Sequence, residues 1–192
     1  MAEIRPRWEW RTFGSNFGVA EDRFAALTPT GVQESDELYL LSDSDVNIKV
    51  RFDLLDVKVL VEVNEAGLEQ WRPVIKAEFP MSDSSVRAVF DAAGFKSPDL
   101  PRVTYTLDEF LAEVAEPSGL LRPVQVHKRR VRYVVGGCTS EVTDVTANGI
   151  PTRTIAIESE DADAVVAAVE AMGLSGYVNT HYGKGLAAVL ST

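Results

Sequence analysis

The chain has 192 residues, 45% of them hydrophobic and 25% charged, with a formal net charge of −10 and a pI of about 4.7. This balance describes an ordinary globular protein of one domain, residues 1–192, rather than a disordered chain. The acidic surplus does not suit a protein that coats nucleic acid, because phosphate neutralisation needs a basic field. Cys138 is the sole cysteine, so no intrachain disulfide forms; a reducing cytoplasm is the expected setting. The apolar runs are too short for a membrane span, and the N-terminus lacks the apolar core of a secretory signal.

In chain order, residues 1–14 read as a strand in which Arg7, Glu9 and Arg11 alternate with Trp8 and Trp10. The stretch 15–35 reads as irregular, broken at Pro29 and Gly31, with a short helix around Glu21–Leu27. Strands are expected at Glu37–Ser42, at Val46–Phe52 and at Asp56–Val63, the last two joined by the hairpin connection Asp53-Leu54-Leu55. A further strand covers Gln70–Phe79, with Pro73 suited to its start or to an edge. Ser82 or Asp83 caps a helix over Ser84–Ala93, and Thr106 with Glu109 forms a capping box that opens a second helix. Strands follow at Val126–Val135, Glu141–Thr146 and Thr152–Glu160. Asp161 or Asp163 caps a helix that runs through Met172, and His181–Leu190 is a final short helix.

Charge is distributed along these strands by alternation. In V-H-K-R-R-V-R-Y-V-V (Val126–Val135), Lys128, Arg130 and Arg132 share a face with Val126 and Val134. His127, Arg129, Val131, Tyr133 and Val135 take the other. Lys49 and Arg51 share a face against Ile48, Val50 and Phe52, and Asp56, Lys58 and Glu62 oppose Val57, Val59, Val61 and Val63. Lys76 alternates with Ile75 and Ala77. Apolar faces of this kind pack against helices, which leaves the charged faces to meet one another. Such charges are tolerable inside a closed barrel only where water, an anion or a metal fills it. No acidic residue falls between Glu116 and Glu141, while Arg122, Lys128, Arg129, Arg130 and Arg132 do. A basic interior within an acidic exterior suits a small polyanion.

The order of these features resembles the CYTH superfamily, the triphosphate tunnel metalloenzymes, over nearly the whole chain. The resemblance rests on the charged first strand, Lys49 with Arg51, Lys58, K-x-R-x-R-Y at 128–133, T-S-E-V-T-D-V to Val145, I-E-S-E at 157–160 and the tail H-Y-G-K-G-L. It implies a mainly β fold of the α+β class: an antiparallel, eight-stranded, closed tunnel barrel with helices packed outside. It also implies a triphosphate held by Arg11, Lys49, Arg51, Lys58, Lys76, Lys128, Arg130 and Arg132. Mg²⁺ or Mn²⁺ would be held by Glu9, Asp144, Glu158 and Glu160. The late acidic pair is Glu158 with Glu160, or Glu158 with Ala156 in the other slot. One departure stands out: the family's first strand reads E-x-E-x-K, and here the face is Arg7, Glu9, Arg11. A metal site so built loses a carboxylate, and a phosphate site gains a charge.

Two functions follow from the resemblance. One is a divalent-metal-dependent phosphohydrolase acting on tripolyphosphate, polyphosphate or an organic triphosphate, with arginine forks and lysine charges neutralising the polyanion and the metal polarising phosphorus. The other is a polyphosphate- or nucleotide-binding module without catalysis, which the altered first strand favours. The sequence assigns no catalytic residue, carries no phosphate-loop motif and marks no adenine pocket.

Overall fold

The computed structural model describes residues 6–191. Strand β1 (Arg7–Gly14) and helix α1 (Val19–Ala25) precede four strands: β2 (Gly31–Leu41), β3 (Val46–Arg51), β4 (Leu54–Val63) and β5 (Glu69–Glu78). A short strand β6 (Met81–Ser82) enters α2 (Asp83–Ala92). Another, β7 (Thr104–Tyr105), enters a helical run of α3 (Leu107–Phe110), a π-helical turn (Leu111–Ala115) and α4 (Glu116–Ser118). Then come β8 (Arg122–Val135), β9 (Cys138–Ala147), β10 (Ile150–Ser159), α5 (Ala162–Ala171) and α6 (Tyr182–Val189). Eight strands close an antiparallel barrel in the order β1-β10-β9-β8-β2-β3-β4-β5, and β6 pairs with β7. The fold expected from the sequence is the fold observed. No described helix is long and apolar enough to cross a membrane.

The chain divides into two units, one made of the residues up to Ser35, 61–71 and those from His127 on, the other of 36–60 and 72–126. In the first unit, Trp10 of β1, Ile155 and Ile157 of β10, Cys138 of β9 and Tyr133 and Val135 of β8 pack with Phe24 of α1 and Val165, Ala168 and Val169 of α5. Residues of the opposite parity on these strands therefore face into the barrel. Asp161 caps α5 by accepting from the backbone N–H groups of Asp163 and Ala164.

In the second unit, Leu38 and Leu40 of β2, Ile48 and Val50 of β3 and Leu55 and Val57 of β4 pack with Val86, Val89 and Phe90 of α2 and with Phe110 and Val114 of the later helical run. Ser82 caps α2, and the capping box of Thr106 with Glu109 opens α3 as its spacing requires.

Three local expectations change. Residues 31–36 are strand, so β2 begins well before Glu37. Strand β8 begins at Arg122. The hairpin between β3 and β4 turns on Phe52 and Asp53, because Arg51 already faces Leu54 across the ladder. Both turn residues have positive φ, 53° and 55°, as a two-residue hairpin turn that matches strand twist demands. Phe52 therefore leaves the apolar face and stands 82% exposed at the tip.

Candidate functional site: a cation cluster on the inward face of the barrel

The register of β1 determines what Arg11 meets. Arg11 lies opposite Ala156 of β10, Ala156 lies opposite Glu141 of β9, and Glu9 lies opposite Glu158. Since Trp10, Ile155 and Ile157 face the helices, Glu9, Arg11, Ala156, Glu158 and Glu141 face inward together. The Arg11 Nε donates to Glu9 Oε1 at 2.8 Å, and a terminal nitrogen donates to Glu141 Oε1 at 3.1 Å and to Thr154 Oγ1 at 3.3 Å. Burial opposes the charge on this guanidinium, but Glu9 and Glu141 outweigh it and hold its pKa well above the ordinary arginine value.

The second oxygen of Glu141 is taken from β8. Arg130 Nε lies 2.9 Å from Glu141 Oε2, an ion pair whose N–H is not aligned on the oxygen. Burial alone would raise the Glu141 pKa; Arg11, Arg130 and Lys128 together reverse this and hold it below the usual carboxylate value of 4.5. Lys128, two residues before Arg130 on the same face, is 1% exposed. Its ammonium lies 3.8 Å from the centroid of the Tyr182 ring, and the Arg11 guanidinium carbon lies 4.4 Å from it. Two cations thus address one aromatic ring, which favours both by cation–π attraction in a desolvated place. Arg11, Lys128 and Arg130 are three cations gathered about the carboxylates of Glu9 and Glu141.

Tyr182 begins α6, a helix with two glycines and weak intrinsic propensity, Y-G-K-G-L-A-A-V. Packing holds it. The Tyr182 ring meets Phe13 edge-on at 5.2 Å, and the His181 ring meets Trp71 at 5.1 Å. The approach is close enough that a Cβ on Gly185 would stand 2.3 Å from two Phe13 ring carbons. Upstream, Asn179 Oδ1 accepts from the Arg11 backbone N–H at 2.7 Å and its amide donates to the Gly67 carbonyl at 2.7 Å, while the Thr180 N–H donates to the Arg11 carbonyl at 2.6 Å. The segment before α6 is therefore stitched to β1 beside Arg11.

The remaining expected residues lie outside the contacts of Arg11, although Glu158 shares its inward face. Glu158 is paired with Arg7 at 3.1 Å. Arg132 is exposed and donates to Gln33 at 2.9 Å, and Glu160 is exposed beyond the end of β10. Asp144 does not join the group: it lies three residues from Glu141, on the other face of β9, where Arg153 Nε donates to it at 2.8 Å. Arg153 also donates to Glu21 of α1 at 2.8 Å, so Asp144 belongs to an ion-pair network on the helix side. Glu141 is the inward acid of that strand, and the sequence reading passed over it and over Tyr182.

In the second unit, Glu37 of β2 is the acid that the sequence reading did not select. Its carboxylate is enclosed, with Lys49 Nζ at 3.6 Å from one oxygen and Arg51 at 3.6 Å from the other. Burial lowers the Lys49 pKa, with Glu37 opposing and Arg51 and Lys58 adding to the fall. Asp56 and Lys58 stand opposite Lys49 and Asn47 on the facing strand. Lys76 is exposed and alternates with Ile75 and Ala77, which pack against the apolar cluster.

The inward residues can be tested as a cation site. Mg²⁺ and Mn²⁺ require several oxygen donors at one point. Here the Glu9 carboxylate accepts from Arg11, Glu141 is bridged by Arg11 and Arg130, Glu158 is paired with Arg7, and the slot at 156 carries a methyl group. No group of three acidic, histidine or cysteine residues placed to hold a metal occurs among the described residues. The expected donors of Glu9, Asp144, Glu158 and Glu160 do not fit a divalent ion in this arrangement.

The sequence matches no family model and no curated protein. Among solved structures, a candidate adenylyl cyclase from Hippeastrum with a dominant triphosphatase activity is similar over 96% of this chain and 95% of its own, at 14% identity and a TM-score of 0.53. A conserved hypothetical protein from Pyrococcus furiosus matches over 91% and 98%, at 15% identity and a TM-score of 0.49. A candidate adenylate cyclase from Bacillus halodurans matches over 93% and 96%, at 12% identity and a TM-score of 0.48. The first of these likenesses extends along nearly the whole chain and concerns the fold.

Proposed function

We propose that the chain is a divergent relative of the triphosphate tunnel proteins whose barrel binds a short polyanion: tripolyphosphate, polyphosphate or an organic triphosphate. The observation that carries this reading is the group of Arg11, Lys128 and Arg130 on the inward strand faces, cations gathered with Glu9, Glu141 and the Tyr182 ring, while Glu69 lies opposite Glu9. Cations gathered on inward strand faces can exchange an internal carboxylate for an anion that brings its own charge. Arginine forks and a lysine point charge are the side chains that phosphate oxygens need. Lys49, Arg51 and Lys58 of the second unit have the same chemistry.

Inorganic tripolyphosphate should raise the melting temperature of the protein by mass action, by about 2.7 kcal/mol at a hundredfold excess over Kd. An unchanged melting temperature at millimolar tripolyphosphate, both with Mg²⁺ and with EDTA, removes the polyanion reading. Hydrolysis is a second reading, supported by the fold shared with a protein of dominant triphosphatase activity. It is tested by phosphate release from tripolyphosphate, polyphosphate, ATP and thiamine triphosphate in Mg²⁺, Mn²⁺ or EDTA. The enclosed thiol of Cys138, whose pKa burial raises, suits a reducing cytoplasmic setting.

A further inference from the structure

The cluster contains an anion already. Glu141 places one oxygen on Arg11 and the other toward Arg130, at 3.1 and 2.9 Å, and so bridges two arginines that approach from different strands. A tetrahedral phosphate offers the same two arginines a higher charge and more oxygens, with the directional fork contacts that guanidinium groups favour. Lys128, which helps hold Glu141 ionised, stands beside the pair as a third donor. Every inward carboxylate of β1, β9 and β10 in this group is engaged by an arginine: Glu9 by Arg11, Glu141 by Arg11 and Arg130, Glu158 by Arg7. Position 156, which the register sets between Arg11 and Glu141, contributes a methyl group where a donor would have to stand.

From these contacts we infer that phosphate is bound by direct contact with Arg11, Lys128 and Arg130, without a bridging divalent ion, and that Glu141 is the internal counter-anion the phosphate replaces. The inference rests on the polyanion reading and deepens it. Arg7 and Arg11 then supply positive charge at the places where a metal would otherwise be needed, and they engage Glu158, Glu9 and Glu141 in competition with a metal. Free Mg²⁺ complexes tripolyphosphate and masks its charge, so excess Mg²⁺ weakens a site made of cations. A site built around a metal responds in the opposite direction.

Isothermal titration of the full chain with sodium tripolyphosphate, in EDTA and in excess Mg²⁺, distinguishes the cases. Binding in EDTA that is as tight as in Mg²⁺, or tighter, is the expected result, together with a Mn²⁺ titration followed by electron paramagnetic resonance that shows no saturable site. Glu141→Gln removes the competing charge and keeps the side-chain volume, so it should tighten binding about tenfold, the equivalent of roughly 1.4 kcal/mol. Glu141→Asp withdraws the carboxylate from both arginines and should tighten binding in the same direction; it serves where the Gln variant fails to melt cooperatively. Binding that requires Mg²⁺, with saturable Mn²⁺ uptake, overturns the inference and leaves the polyanion reading intact. Binding in EDTA that neither Glu141 variant tightens overturns the role of Glu141. Absence of binding under both conditions overturns the polyanion reading itself.

Discussion

Gly185→Ala sets two effects of opposite sign against each other within α6. Alanine in place of a helical glycine gains about 1 kcal/mol of propensity, and the backbone here is ordinary right-handed helix. The new methyl group, however, would stand 2.3 Å from Phe13 Cδ2 and Cε2 and 2.8 Å from Cγ. Rotating the ring about its own axis does not relieve contact with Cγ, which lies at the base of the ring. Phe13 must leave its rotamer and its edge-on contact with Tyr182, or α6 must lift from β1. Overpacking of this kind costs about 1–3 kcal/mol, so the clash prevails by about 1 kcal/mol on average. For a chain of this length that lowers the melting temperature by about 2–4 °C. Thermal unfolding of the variant, with Gly176→Ala as a control that meets nothing within 4 Å, reads the effect directly. The double variant Phe13→Ala, Gly185→Ala should lack the Gly185→Ala penalty seen in the Phe13 background of the wild type. A Gly185→Ala protein that melts higher than wild type refutes the packing of α6 against β1, and with it the contact of Tyr182 with Arg11 and Lys128.

Three further outcomes are expected. Arg130→Ala should weaken tripolyphosphate binding by roughly tenfold or more, whereas Arg129→Ala should not, because Arg129 lies on the outer face and pairs with exposed Glu34 at 3.7 Å; equal losses in titration would reverse the assigned face of β8. Glu141 has a folded pKa below 4.5, so the stability its ion pairs contribute is present above pH 4.5 and is lost as pH falls through the lowered folded value. Acid unfolding curves of Glu141→Gln should accordingly be flatter than wild type below pH 4.5, and identical slopes would contradict the pairing. Phe52→Asn should stabilise the fold: a left-handed backbone costs a residue such as Phe about 1–2 kcal/mol and suits Asn. The Arg51 contact over the ring, at 5.6 Å in an exposed position, returns only about 0.5–1 kcal/mol. A lower melting temperature for Phe52→Asn would show that the ring contributes more than its exposure allows.

Alternation along single strands was legible because the side-chain period of a strand is local. Lys128 and Arg130 fall on one face and Tyr133 and Val135 on the other in any register, and Lys49 with Arg51 separates from Ile48 and Val50 for the same reason. The helix caps at Ser82, Thr106 and Asp161 were also local, since each side chain reaches only its own first turn. In β9 the same rule distinguishes Glu141 from Asp144, but both faces of T-S-E-V-T-D-V mix polar and apolar residues, so composition does not say which one is inward. The turn at Phe52 and Asp53 carried no glycine or asparagine to mark it, and the pairing of Arg51 with Leu54 decided it.

What only the tertiary structure decided is which charges meet. The sequence by itself placed an arginine at 11, an alanine at 156 and a glutamate at 141, and showed that the first strand departs from the resemblance it otherwise supports. The barrel register then set those three residues side by side, across 130 positions of chain between Arg11 and Glu141. Arginines engage Glu9, Glu141 and Glu158 in consequence, and the expected metal donors are not assembled. Tyr182 reaches Arg11 and Lys128 only because α6 docks against Phe13, a contact that its glycine-rich sequence does not announce. Local geometry repeats along the chain and can be read from it; hydrogen-bond register and helix docking are long-range properties, determined by how the whole set of strands closes and packs.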